Sequence, residues 1–161
     1  MSEDIRSRLS VHPAGIDAHK CFNKFDQKCK IYLFPWLENM NPEKEFRVFI
    51  YDGKVTAISQ QHIYDENNWL SSLSEKEIHE IILKIVSFYE KEVNPKIIQK
   101  NMVMDCALLG EGNEPYFIEP NVFGKEYASG SALFHWIDDE KIIYNPHTLY
   151  FRYIPPSINK N

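Results

Sequence analysis

Apolar and polar positions alternate most clearly in two runs, residues 45–51 (Glu-Phe-Arg-Val-Phe-Ile-Tyr) and 54–60 (Lys-Val-Thr-Ala-Ile-Ser-Gln), separated only by Asp52-Gly53. A period of two over seven residues is strand patterning, and an Asp-Gly link suits a type I′ hairpin, because glycine takes positive φ without a Cβ clash. A tight turn there predicts Tyr51 opposite Lys54, Phe49 opposite Thr56, Arg47 opposite Ile58 and Glu45 opposite Gln60. Phe46, Val48, Ile50, Val55 and Ala57 then form a core face. Glu45, Arg47, Thr56 and Gln60 line the other. The pattern next switches to helical spacing: Ile78, Ile81, Ile82, Ile85, Phe88 and Tyr89 recur as one stripe. Ser74 and Glu77 stand ahead of it as a capping box, and Asn94-Pro95 ends it. His79 on this helix reads as a solvated rim residue.

A second hairpin is predicted from residues 102–109 and 115–122, joined by Gly110-Glu111-Gly112-Asn113-Glu114. Weaker strand signals lie at residues 30–36, before a loop containing Pro42, and at 148–153. The apolar Leu133-Phe134-His135-Trp136 stretch reads as packed core. The order of elements, strands with one long helix against an antiparallel sheet, indicates an α+β fold. Residues 1–154 read as a single domain and 155–161 as a disordered tail.

In the second hairpin, strand periodicity puts Phe117, Glu119 and Asn121 on one face. Centring the hairpin on Gly112 brings Asp105 opposite Glu119. Two carboxylates facing each other across a sheet repel unless a cation or proton lies between them. Asp105 sits among Val103, Met104, Cys106 and Ala107, so its carboxylate is expected to be partly buried. Two acids and a carboxamide supply three hard oxygen donors, a set that suits Mg²⁺ with phosphate oxygens completing its shell. Two other readings stay open at this level: Asp105 capping a turn with Glu119 on a solvated edge, and a carboxylate pair for glycoside hydrolysis. The latter leaves Asn121 without a role.

Composition narrows the class. Of the 161 residues, 43% are hydrophobic, 25% charged and 14% aromatic, the range of a globular domain with a real core. The formal net charge of −5 argues against a nucleic-acid partner for the whole protein. Cys21, Cys29 and Cys106 are widely spaced and odd in number, which points away from a zinc ribbon or disulfide framework and toward reduced thiols and a cytoplasmic setting. Neither a secretory leader nor a membrane span is expected. No P-loop, HExxH or GxSxG pattern occurs.

These blocks resemble the cell division cycle protein 123 family. The resemblance is carried by Glu45-Phe46-Arg47-Val48-Phe49 through Ala57-Ile58-Ser59-Gln60, by Val103-Met104-Asp105, by Ile118-Glu119-Pro120-Asn121-Val122-Phe123-Gly124, and by Ser131-Ala132-Leu133-Phe134-His135-Trp136. They occur in order over residues 30–137, with Trp36 as a further counterpart. The resemblance implies an ATP-grasp-like fold that binds ATP with Mg²⁺. Asp105, Glu119 and Asn121 would be the metal ligands, Arg47 would approach the phosphates, and Gln60 would line the same face toward nucleotide or partner. It also implies a chaperone-like role in assembling translation initiation factor 2 through its gamma subunit. The chain departs from the family pattern at Glu119, where Asp is usual, at Val122, where Pro is usual, and at Gln61, where Arg is usual. Two residues are added between Gly124 and Leu133. The N-terminal portion is reduced, and residues 10–18 lack the family's lysine, for which Arg6, Arg8 or Lys20 would have to substitute. Two further functions follow from the same fold: an ATP-dependent carboxylate–amine ligase with Lys125, Arg152 and His135 as acceptor-site cations, or a binding module without nucleotide.

Overall fold

The computed structural model describes residues 37–38, 40–127 and 129–157. The chain divides into two units, Met1–Trp36 and Leu37–Asn161, and only the second is treated below. The strand expected at 30–36, the segment 10–18, and Arg6, Arg8, Lys20 and Trp36 lie outside the described residues.

Five strands form one sheet in the order β4-β3-β1-β2-β5. In chain order they are β1 (Glu45–Tyr51), β2 (Lys54–Gln60), β3 (Met102–Leu109), β4 (Glu114–Asn121) and β5 (Tyr150–Arg152). The fold is α+β. Four strands are antiparallel neighbours, whereas β5 joins the edge of β2 in parallel. A parallel neighbour needs a long crossover, and the whole stretch between β2 and β5 supplies it. Three helices interrupt that stretch: α1 (Asn68–Ser71), α2 (Glu75–Phe88) and α3 (Glu140–Ile143). Among the described residues no helix is long and apolar enough to cross a membrane.

The first hairpin turns where expected, with Asp52 at φ 50 and Gly53 at φ 71, as a type I′ turn requires. Tyr51 faces Lys54 and Ile50 faces Val55. The expected register then fails. Thr56 is an extra residue, so Phe49 faces Ala57, Arg47 faces Ser59 and Phe46 faces Gln60. The bulge has a tertiary cause that local pattern does not display: Thr56 Oγ1 donates to the Ile143 carbonyl at 2.8 Å. An inserted residue turns everything beyond it to the opposite face. Ile58 therefore joins Phe46, Val48 and Ile50, while Ala57 crosses over to pack with Phe49.

Both faces of the sheet are covered. On one, α2 presents Ile81 and Ile85, with Tyr89 and Val93 just beyond it, to Phe46, Val48, Ile58, Met104, Cys106 and Leu108. The capping box that starts α2 is present in both directions: Glu77 Oε2 accepts the Ser74 N–H at 2.8 Å, and Ser74 Oγ accepts the Glu77 N–H at 3.3 Å. The helix loosens into a π turn at Tyr89–Val93 and ends in a 3₁₀ turn holding Pro95. On the other face Phe123, Phe134, Trp136 and Ile143 pack on Phe49, Ala57 and Val103, so Phe134 and Trp136 are core. Arg152 on β5 fastens this covering segment. Its guanidinium forks onto Asp139 at 2.7 Å through both terminal nitrogens and donates to the Leu133 carbonyl at 3.1 Å. Ser157 donates to Glu66, tying residues 154–157 to the loop after β2.

Truncating Ile85, which is fully buried, to alanine should cost about 2–5 kcal/mol in urea unfolding. Leu83→Ala, one helix face away and 53% exposed, should stay within about 0.5 kcal/mol. Hydrogen bonds from Arg152 hold the Asp139 carboxyl below its ordinary range, against a smaller opposing effect of burial. A depressed folded pKa stabilises above the unfolded value of about 3.9 and is lost as pH falls through the folded one. Melting temperature should therefore fall more steeply below about pH 4 in the wild type than in Asp139→Asn, which a thermal-shift series in acid will resolve.

Candidate metal and phosphate site

β3 lies inside the sheet between β4 and β1 and is buried from Met102 to Leu108. Asp105 in its middle is only 4% exposed. A carboxylate so placed needs charged or donor partners, since desolvating it alone is prohibitive. Strand register supplies them. Asp105 faces Glu119 on β4 and Arg47 on β1, and Arg47 in turn faces Ser59 on β2. Glu119, Asp105, Arg47 and Ser59 thus form one row across four strands. Asn121 lies one step along β4 on the same face, opposite Val103.

The expected pairing of Asp105 with Glu119 is what the hairpin makes. Immediately beyond it β4 bulges at Ile118, and Cys106 faces Phe117. This corrects the expectation that Phe117 shares a face with Glu119 and Asn121: Phe117 packs against the α2 core instead. A strict period of two does not survive the extra residue.

Within the row the contacts are short. Arg47 Nε donates to Asp105 Oδ1 at 2.8 Å and Nη2 to Oδ2 at 2.6 Å, a bidentate pair. Arg47 Nη1 donates to the Gly130 carbonyl at 2.7 Å. Asn121 Nδ2 lies 2.9 Å from Asp105 Oδ2 and 3.4 Å from Glu119 Oε1. The Asn121 amide nitrogen thus bridges the carboxylates of Asp105 and Glu119, which brings the three side chains to one meeting point. Glu119 is exposed and Asn121 half-buried, so the meeting point opens to solvent along β4. Ser59 is turned to the backbone: its Oγ donates to the Gln60 carbonyl at 2.7 Å and accepts the Leu133 N–H at 3.3 Å.

Gln60 does not join the row, which corrects its expected place beside Arg47. Because of the Thr56 bulge it faces Phe46 on the α2 side. Its Nε2 donates to the carbonyls of His62 and Asp65, and its Oε1 accepts the Ile154 N–H at 2.8 Å. The amide is fully used in holding the loop after β2 against the chain's last described residues.

The donor set fits a hard divalent cation. Among the described residues no three His, Cys, Asp or Glu side chains gather for a metal. The residue types here, two acids and a carboxamide, suit Mg²⁺ completed by phosphate and water rather than an all-protein cage, once the Asn121 amide turns its oxygen in place of the nitrogen that faces the acids. Cys106 takes no part: it points into the α2 core, and burial pushes its thiol far above the ordinary range. Of the three residues considered for an acceptor pocket, the two fixed cations each have an acid of their own: Lys125 reaches Glu140 at 3.4 Å and Arg152 holds Asp139. His135 accepts the Asp138 N–H at Nδ1.

Two features of the site escaped the sequence. Arg47 is committed to Asp105, and Gly130 supports it from the segment after β4. A Cβ at Gly130 would stand 2.8 Å from Arg47 Nη1, so only glycine leaves the guanidinium its place. The small-residue stretch around Gly130 was the available signal, but nothing local says which side chain it makes room for.

The chain is 29% identical over 136 residues to the cell division cycle protein 123 of Candida glabrata, covering 81% of this chain and 36% of that protein. It is 32% identical over 126 residues to the translation initiation factor eIF2 assembly protein of Candida albicans, covering 73% and 33%. The chain spans about a third of the length of these curated relatives. The solved structure of Cdc123 from Schizosaccharomyces pombe aligns with a TM-score of 0.58 at 20% identity, over 87% of this chain and 55% of that one, which is a likeness of fold. The D123 family model matches residues 2–160, and the chain belongs to the D123 family.

Proposed function

We propose that this chain binds ATP with Mg²⁺ in the manner of an ATP-grasp-like fold, and that the nucleotide-bound form is an assembly factor for translation initiation factor 2, engaging its gamma subunit in the cytoplasm. The observation that carries the nucleotide half is the row of Glu119, Asp105 and Arg47 with Asn121 beside it. Asp105, Glu119 and Asn121 would hold the cation, which supplies countercharge to the phosphates. Arg47 supplies a planar fork matched to phosphate as well as to carboxylate. The partner half is supported by the name of the Candida albicans relative, an eIF2 assembly protein. A ligase is less well supported, because Lys125 and Arg152 are each paired with an acid.

One observation favours a second reading, a partner-binding module without nucleotide. Arg47 already neutralises Asp105, so the buried acid needs no cation for the fold to be stable.

Thermal unfolding with and without ATP and Mg²⁺ separates the two. Ligand at a hundred times its dissociation constant should add about 2.7 kcal/mol to the wild type; no shift would leave only the module. Glu119→Gln is the clean probe, since its exposed side chain can change within about 0.5 kcal/mol of ligand-free stability. It should lose most of the nucleotide gain. Asp105→Asn should lose that gain too, but also about 3–5 kcal/mol of intrinsic stability, because it strands a buried guanidinium. Capture of the initiation factor's gamma subunit by the wild type should require ATP and Mg²⁺ and fail in Glu119→Gln. Equal capture by both, with and without nucleotide, would separate the partner role from the site.

A further inference from the structure

We propose that Arg47 is a displaceable counter-ion, held on Asp105 in the ligand-free protein and transferred to phosphate on binding, so that Asp105 accepts a divalent cation only together with phosphate. This rests on the Mg-nucleotide reading above and adds how its two halves are coupled.

The contacts define the conflict. A carboxylate oxygen has two lone pairs. Oδ2 of Asp105, the oxygen nearest Asn121 and Glu119, accepts from Arg47 Nη2 at 2.6 Å and from Asn121 Nδ2 at 2.9 Å. Both are engaged. The Asn121 amide can rotate to present its oxygen, but the guanidinium cannot turn into a ligand. A cation bound to Oδ2 would stand beside Nη2 and meet a like charge in a pocket where both partners are more than nine-tenths buried. Arg47 must therefore leave before Asp105 can coordinate.

The structure also provides what holds Arg47 back and what would receive it. The Gly130 carbonyl fixes Nη1 at 2.7 Å, so the guanidinium is tied at all three nitrogens. Phosphate offers the same fork geometry as the carboxylate it would replace. Coupling of this kind is reciprocal: the factor by which phosphate raises the affinity for the cation is the factor by which the cation raises the affinity for phosphate. The expected consequence runs against intuition. Removing a residue of the site improves binding of the metal by itself.

The test is Mn²⁺ binding to the full chain without nucleotide, read as loss of the free-ion paramagnetic resonance signal, for wild type, Arg47→Gln and Gly130→Ala. Arg47→Gln keeps a donor and removes the charge. Gly130→Ala keeps both charges and pushes the guanidinium off its seat, because the added Cβ meets Nη1 at 2.8 Å. Both variants should bind Mn²⁺ more tightly than the wild type, by about fivefold or more, the lower end of ordinary coupling. Arg47→Gln, which has no charge to give to phosphate, should gain less stability from ATP with Mg²⁺, whereas Gly130→Ala, which frees the guanidinium, should gain at least as much as the wild type. Should Arg47→Gln fail to fold, Gly130→Ala decides. Unchanged or weaker Mn²⁺ affinity in the variants, in a wild type that ATP and Mg²⁺ still stabilise, overturns the counter-ion and leaves the proposed function standing. A wild type that ATP and Mg²⁺ do not stabilise overturns the proposed function, and the transfer to phosphate falls with it.

Discussion

An acid in the middle of a sheet that is covered on both faces has to be neutralised from within, and Asp105 is neutralised by Arg47. The pair is bidentate and buried, and its geometry fixes much else. Arg47 must be directly opposite Asp105, so β1 and β3 have one register. The guanidinium must have room and an acceptor for its third nitrogen, so Gly130 must lie over it. The segment carrying Gly130 is also the one that brings Phe123, Phe134 and Trp136 onto the second face. A buried ion pair of this kind contributes little net stability compared with an apolar pair, but breaking it is costly.

Two bulges decide which residues surround that pair. The one at Thr56 puts Ser59 instead of Ile58 opposite Arg47 and sends Gln60 to the α2 side. The one at Ile118 moves Phe117 into the α2 core while leaving Glu119 and Asn121 on the Asp105 face. Without the second, β4 would carry an aromatic ring on the site's face. Bulges beside functional residues are a common way to re-aim side chains without changing the strand order. Here each does so within one or a few residues of the row.

The two covers of the sheet have different characters. The α2 side mixes aliphatic residues such as Ile81, Ile85, Val48 and Met104 with the rings of Phe46, Tyr89 and Trp69. The other side is a cluster of aromatic rings, with Phe49, Phe123, Phe134 and Trp136 meeting edge to face at centroid distances of 5.1–5.6 Å. The site lies where that aromatic cluster gives way to charge along β4. This explains why the family resemblance runs through apolar and acidic positions together: the same strands build the core with alternate residues and the site with the others.

The sequence by itself determined the two hairpins, α2 and one pairing in the row. Asp52-Gly53 fixed the first turn, Ser74 and Glu77 the start of α2, and the spacing around Gly112 the meeting of Asp105 with Glu119, because each depends on residues a few positions apart. The tertiary structure decided the rest. Thr56 bulges because its hydroxyl reaches Ile143. The α1 turn is capped by the Asn67 side chain, whose amide also donates to the Glu43 carbonyl across the fold. Arg47 pairs with Asp105 because the sheet places β1 against β3, far apart in the chain. Local pattern carries φ preferences and periodicity. It does not carry the partner a buried charge finds once distant strands are brought together, and that partner is what sets the chemistry of this site.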